Sequence, residues 1–158
     1  MAQIIESVEA INLVVPANDE WFELLVDNDI DPMEVVRTSV HDPNGWKYLG
    51  PKLEGLINYI AKLTHLGYAQ NLREVRERAD KIGLRLLEGQ AIEPFKKKYP
   101  KPDCKDRIVC GGSEWQNPNS HALQAYLNHF NNEWYSSFHW SKNDFFTDNL
   151  RWLVAGKN

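Results

Sequence analysis

The side chains best suited to chemistry in this chain are five histidines and two cysteines. Cys104 and Cys110 stand six positions apart, with His121 further on. Thiolates and imidazoles bind zinc, but this spacing contains neither a Cys-x-x-Cys pair nor a His-x₃₋₅-His pair, so no structural metal site is expected. On a helix, His121 and His129 would point about 80° apart and two turns along, which is poor geometry for sharing one ion. Two reduced thiols and no cofactor are the expectation.

His41-Asp42 resembles half of a metal-phosphohydrolase signature, but the second histidine and aspartate are not placed around it. The pair also opens Asp42-Pro43-Asn44-Gly45, a type I turn pattern that accounts for Asp42 without chemistry. His139 and Ser141 form a His-x-Ser tripeptide of the kind two-histidine phosphoesterases use, without the second copy that such sites need. The stretch CGGSEW lacks the Gly-x-Gly-x-x-Gly spacing and the terminal Lys-Ser/Thr of phosphate loops. His121, behind Ser120, is the one candidate general acid or base. Residues 96–107, KKKYPKPDCKDR, bring together Lys96, Lys97, Lys98, Lys101, Lys105 and Arg107 with Tyr99 among them. That composition suits phosphate tracking with base stacking.

The most unusual stretch is SHALQAYLNHFNNEWYSSFHW, residues 120–140. Wound as a helix over 121–135, it puts Leu123, Tyr126, Leu127, Phe130 and Trp134 on one face. His121, Gln124, Asn128, Asn132 and Tyr135 fall on the other, an amide-rich surface without formal charge. Asparagine is a poor helix former, so three of them in five positions should be offset by contact with something. Carboxamides recognise peptide backbone, base edges or sugar hydroxyls without the cost of desolvating an ion. Trp115, in the polar run GGSEWQNPN, is a candidate anchor beside them.

The elements that would position these residues read mainly as helices. Asn18 or Asp19 caps a helix to Val26, and Asp31-Pro32 starts another to about Val40. Pro51 and Gly67 bracket a third, with Leu53, Leu56, Ile57, Ile60 and Leu63 on one face. Asn71 with Glu74 caps a fourth to about Leu87. Residues 121–135 and a segment capped by Ser141, running through Val154, complete the set. Strands are expected only at 11–15 and 107–110. Segment 90–119, broken by prolines and Gly111-Gly112, reads as one long irregular connection. The fold class expected is a mainly α, single domain over 1–158, of five to six helices with a minor β element.

Charge is unevenly spread. Residues 1–34 hold nine acids and no lysine or arginine, residues 35–107 hold fifteen bases and nine acids, and the whole chain is at −4. Such an acidic end steers basic partners, with Asp27, Asp29 and Asp31 at its tip, unless it folds back on the basic middle. No apolar run has the length of a membrane span, and the N-terminus lacks a secretory pattern. A cytoplasmic protein is expected, in a host's cytoplasm if the gene is viral or carried on a mobile element. The functional expectation is a non-enzymatic protein that binds a macromolecular partner through 111–135. One concrete version is an acidic inhibitor of a nucleic-acid-handling protein. The alternatives are an enzyme acting on a nucleotide or nucleic acid, with 96–107 holding phosphate, and a structural subunit of a larger assembly. Sequence leaves the oligomeric state open.

Overall fold

The computed structural model describes residues 14–140, 146 and 150–157. Among the described residues, eight strands form one curled mixed sheet, a half-barrel, and helix is confined to three short segments. The mainly α expectation is therefore overturned. Strand β1 is Phe22–Asp27, β2 Lys47–Tyr48, β3 Leu56–Thr64, β4 Leu84–Leu86, β5 Arg107–Gln116, β6 Ala122–Phe130, β7 Glu133–Trp140 and β8 Leu150–Gly156. The helices are α1 (Met33–Arg37), α2 (Leu72–Lys81) and α3 (Ile92–Lys98), the last entered through a 3₁₀ turn at Gly89–Ala91. The sheet order is β1-β3-β8-β5-β6-β7, with β2 beside β5 and β4 beside β8. Every pairing is antiparallel except β5 with β8.

Four segments expected to be helical pair as strands instead. The segment 121–135 is a hairpin, with Leu123, Ala125 and Leu127 on the inner face and Gln124, Tyr126 and Asn128 on the outer. Its two-residue turn is Asn131-Asn132, at φ 51° and 61°. A type I′ hairpin needs positive φ at both central residues, and asparagine tolerates it far better than most side chains. The asparagines that would burden a helix are thus the residues that let the chain reverse. Residues 18–26 give β1 rather than a helix. The segment 51–66 gives β3, whose inner face carries Tyr59, Ala61 and Leu63. Of the last expected helix, 150–156 is β8, while 141–145 and 147–149 lie outside the described residues.

The long irregular connection is also corrected: 90–119 contains α3 and all of β5. Of the two strands expected, 107–110 opens β5; residues 11–13 lie outside the described residues, and Val14 and Val15 are not in a strand. Helix α2 matches its capping pattern, since Asn71 Oδ1 accepts from the Glu74 N–H at 3.0 Å. It stops near Lys81 rather than Leu87, because Gly83 (φ 76°) turns the chain into β4.

Two apolar layers hold the sheet. The concave face closes over α3, where Ile92, Phe95 and Tyr99 meet Leu24, Val26, Leu63, Trp115, Leu127 and Trp134. The convex face is covered over β4, β5 and β8 by α2, through Leu72, Val75 and Ala79 against Leu86, Val109, Trp152 and Val154. A bulge in β5 between Cys110 and Trp115 lets the chain change face there. At Gly112 a Cβ would sit 2.4 Å from the Leu86 carbonyl, so only glycine allows that close approach. Helix α2 does not cover the convex face of β1 and β3, which leaves Leu25, Leu56 and Ile60 exposed.

Candidate functional site

The partner-binding residues read from sequence do not share one surface. Gln124, Asn128 and Tyr135 lie on the outer face of the β6–β7 hairpin, with Gln124 opposite His139 and Asn128 opposite Tyr135. Gln124 is fully buried, its Nε2 3.3 Å from His139 Nδ1. Asn128 Oδ1 accepts from the His129 N–H at 2.9 Å. Asn132 is at the turn tip. His121 is exposed just before β6, its N–H donating to Asn117 Oδ1 at 2.9 Å. Trp115 points the other way, into the concave core, stacked near Tyr48 and Phe138 with its indole N–H on the Pro32 carbonyl at 3.3 Å. Glu114 faces outward to Arg76 at 3.4 Å, so Glu114 and Trp115 turn to opposite faces and do not converge with His121 on a cleft.

The basic residues of 96–107 are also dispersed. Lys96 lies 3.8 Å from Glu93, Lys97 and Lys98 flank a groove described below, and Arg107 stands over the Tyr126 ring. Lys101 and Lys105 are exposed on the following loop. Cys110 is fully buried, and burial pushes its thiol well above the usual range; Cys104 is pushed up for the same reason, against the pull of Arg151. Among the described residues, no three His, Cys, Asp or Glu side chains come together in a metal-binding group.

A pronounced concavity lies elsewhere. A groove of about 910 Å³ runs along the outer edge of β1, between it and the helices α1 and α3. Its apolar surface comes from Leu25 and Leu56 on the convex face, Ile30 in the turn after β1, Val35 on α1 and Pro94 on α3. Leu25, Leu56 and Ile30 are 55%, 64% and 52% exposed, unusual for large aliphatic side chains gathered in one place. Five carboxylates, Glu23, Asp27, Asp31, Glu34 and Glu93, face two ammonium groups, Lys97 and Lys98.

Part of this charge is matched within the chain. Arg37 holds Glu34 at 2.7 Å and Asp31 at 3.4 Å, and Asp19 pairs with Lys62 at 3.4 Å. This fulfils, in part, the fold-back of the acidic end onto the basic middle. Glu23, Asp27 and Asp29 have no ion-pair partner among the described residues.

The backbone of β1 gives the groove its directionality. The Asn28 N–H donates to the Gly55 carbonyl at 2.9 Å, on the β3 side. The Glu23 carbonyl accepts from the Lys98 ammonium, on the opposite side. Successive residues of a strand alternate in this respect, so Glu23, Leu25 and Asp27 all turn their N–H and C=O groups to the groove. Among the described residues no acceptor meets the N–H of Leu25 or Asp27, and no strand pairs with this edge. Sequence reasoning named Asp27 and Asp31 as steering charges but missed the groove. The available signal was Leu24-Leu25 and Leu56-Ile57, adjacent aliphatic pairs that put one apolar side chain on each face of a strand.

A second, smaller cavity of about 390 Å³ begins where the groove ends, sharing Ile30 and Asp31 with it and adding Asn28, Tyr48, Gly50, Lys52 and Glu54. No family model, curated protein or solved structure matches this chain. Among the described residues no helix is long and apolar enough to cross a membrane.

Proposed function

We propose that this chain is an interaction protein that captures an extended, basic segment of a partner protein by adding it as a strand to the outer edge of β1. The observation that carries the reading is the pair of unanswered amides, Leu25 and Asp27, opening into a groove with apolar walls and an acidic rim. An added strand satisfies those amides through its own carbonyls. Its alternate side chains meet either the aliphatic surface of Leu25, Leu56 and Ile30 or the carboxylates of the rim. Lysine and arginine suit that rim best, since their aliphatic stems cover apolar surface while their charges reach the acids. A basic segment of a nucleic-acid-handling protein has this chemistry. The amide-bearing face of the β6–β7 hairpin is not needed for it.

The test is fluorescence anisotropy with a labelled, end-blocked peptide alternating valine with lysine and a few residues longer than β1. Binding to the wild-type chain is expected, weakening as salt rises. Leu25→Arg places a cation on the groove wall without disturbing a buried contact, and affinity should fall at least ~10-fold. Ile82→Arg, at the exposed end of α2, is the matched control and should bind as the wild type does. Equal affinity in all three proteins, or no binding to any, would overturn the reading.

A further inference from the structure

Asn28 is 5% exposed, and neither Oδ1 nor Nδ2 of its side chain has a hydrogen-bond partner among the described residues. A buried amide with both its donor and its acceptor unanswered is expensive, and the fold does not need one there. Asn28 follows directly on β1 and points, like Leu24 and Val26, to the concave side, where an aliphatic residue would serve the core better. It also lines the second cavity, which continues the line of the groove past Ile30. Resting on the groove reading, we infer that the second cavity receives the end of the bound segment and that Asn28 reads its main chain there.

The chemistry selects the ligand group. Oδ1 accepts and Nδ2 donates side by side in one plane, and the complement is one residue of an extended chain, whose N–H and C=O point to the same side. A chain-terminal carboxylate fits poorly: it has no donor for Oδ1, and Asp29, Asp31 and Glu54 outnumber Lys52 around the cavity. Both amide atoms are sealed from solvent in the unbound chain, so the ligand reaches them only if the turn at 28–32 rotates. Side-chain caps hold that turn, Asp29 N–H on Asp27 Oδ1 at 3.0 Å and Gly55 N–H on Asp29 Oδ1 at 2.9 Å. Ile30, between the two cavities and half exposed, is the side chain that must give way.

The experiment uses the same valine–lysine peptide. Asn28→Leu replaces the unanswered amide by two methyl groups on the same branched skeleton. The variant should melt several degrees higher than the wild type and bind the peptide at least ~10-fold more weakly. On the wild-type protein, the NMR signals of the Asn28 side-chain NH₂ should shift during titration together with the backbone amides of Leu25 and Asp27. A lower melting temperature in Asn28→Leu would mean that the amide is satisfied within the fold and would overturn the inference. So would movement of Leu25 and Asp27 without the Asn28 side chain; that result leaves the groove reading intact. If no backbone amide of β1 moves and Leu25→Arg binds normally, the groove reading falls and this inference with it.

Discussion

Leu25 occupies a position where a one-sided strand usually carries a polar residue, and it is paired across β1 and β3 with Asn58, beside Leu56 and Ile60. These exposed aliphatics explain why the sequence looked helical. Over 56–63, Leu56, Ile57, Ile60 and Leu63 recur with a helical period. Removing the residues that serve the convex surface, Leu56 and Ile60, leaves Ile57, Tyr59, Ala61 and Leu63, a clean alternation. Of the two residues that obscured the strand, Leu56 lines the groove.

Glu88 shows a different effect at the same scale. It is nearly buried, and burial raises its pKa above the ordinary carboxylate value, although Arg85 at 2.8 Å pulls it down. A carboxyl whose folded pKa is raised contributes stability below its unfolded pKa and loses it as pH rises through the folded one. The wild type should therefore lose stability relative to Glu88→Gln as the pH is raised from the ordinary glutamate range, about pH 4, toward neutral. Thermal melts of both proteins across that range check the sign; a widening advantage for the wild type toward neutral pH would contradict it.

Among the elements, the best-read one was α2, because it packs a single face on the sheet and carries its own cap at Asn71. The opening of β5 was legible from its β-branched run. The β6–β7 hairpin was not, since Asn131-Asn132 lacks the glycine that usually marks a two-residue turn, and its outer face mixes amides with Tyr126, Phe130 and Tyr135. The two readings of this segment make opposite predictions for one substitution. In a helix, Asn132→Ala would stabilise the protein. In the observed turn, with φ at 61°, the same change should cost about 1 kcal/mol. Chemical denaturation of the variant decides between them. Asn128→Ala, which is in a strand and not at the turn, should not reproduce the effect by the same mechanism.

For the whole molecule, the acidic N-terminal third divides into charges held by Arg37 and Lys62 and charges left at the groove. Only the second group can steer a partner over distance. Glu23→Gln with Asp27→Asn removes two negative charges and retains the acceptor that holds the Asp29 N–H. Association with the valine–lysine peptide should slow several-fold at low ionic strength, and the difference should shrink above about 0.15 M salt. Stopped-flow rates measure it; a change confined to dissociation would point to contact rather than steering. Net charge was legible from composition. Its location was not, because it depends on which strand lies at the edge of the sheet.

The most direct measurement is amide hydrogen exchange at Leu25 and Asp27, with and without saturating peptide. Both amides should exchange rapidly in the unbound chain and become protected by at least ~100-fold in the complex, while Leu24 and Val26, already paired with β3, change little. Protection of Leu25 and Asp27 before any peptide is added would mean that the edge is already occupied. Binding that leaves them unprotected would mean that the partner sits elsewhere; either result contradicts strand addition at β1.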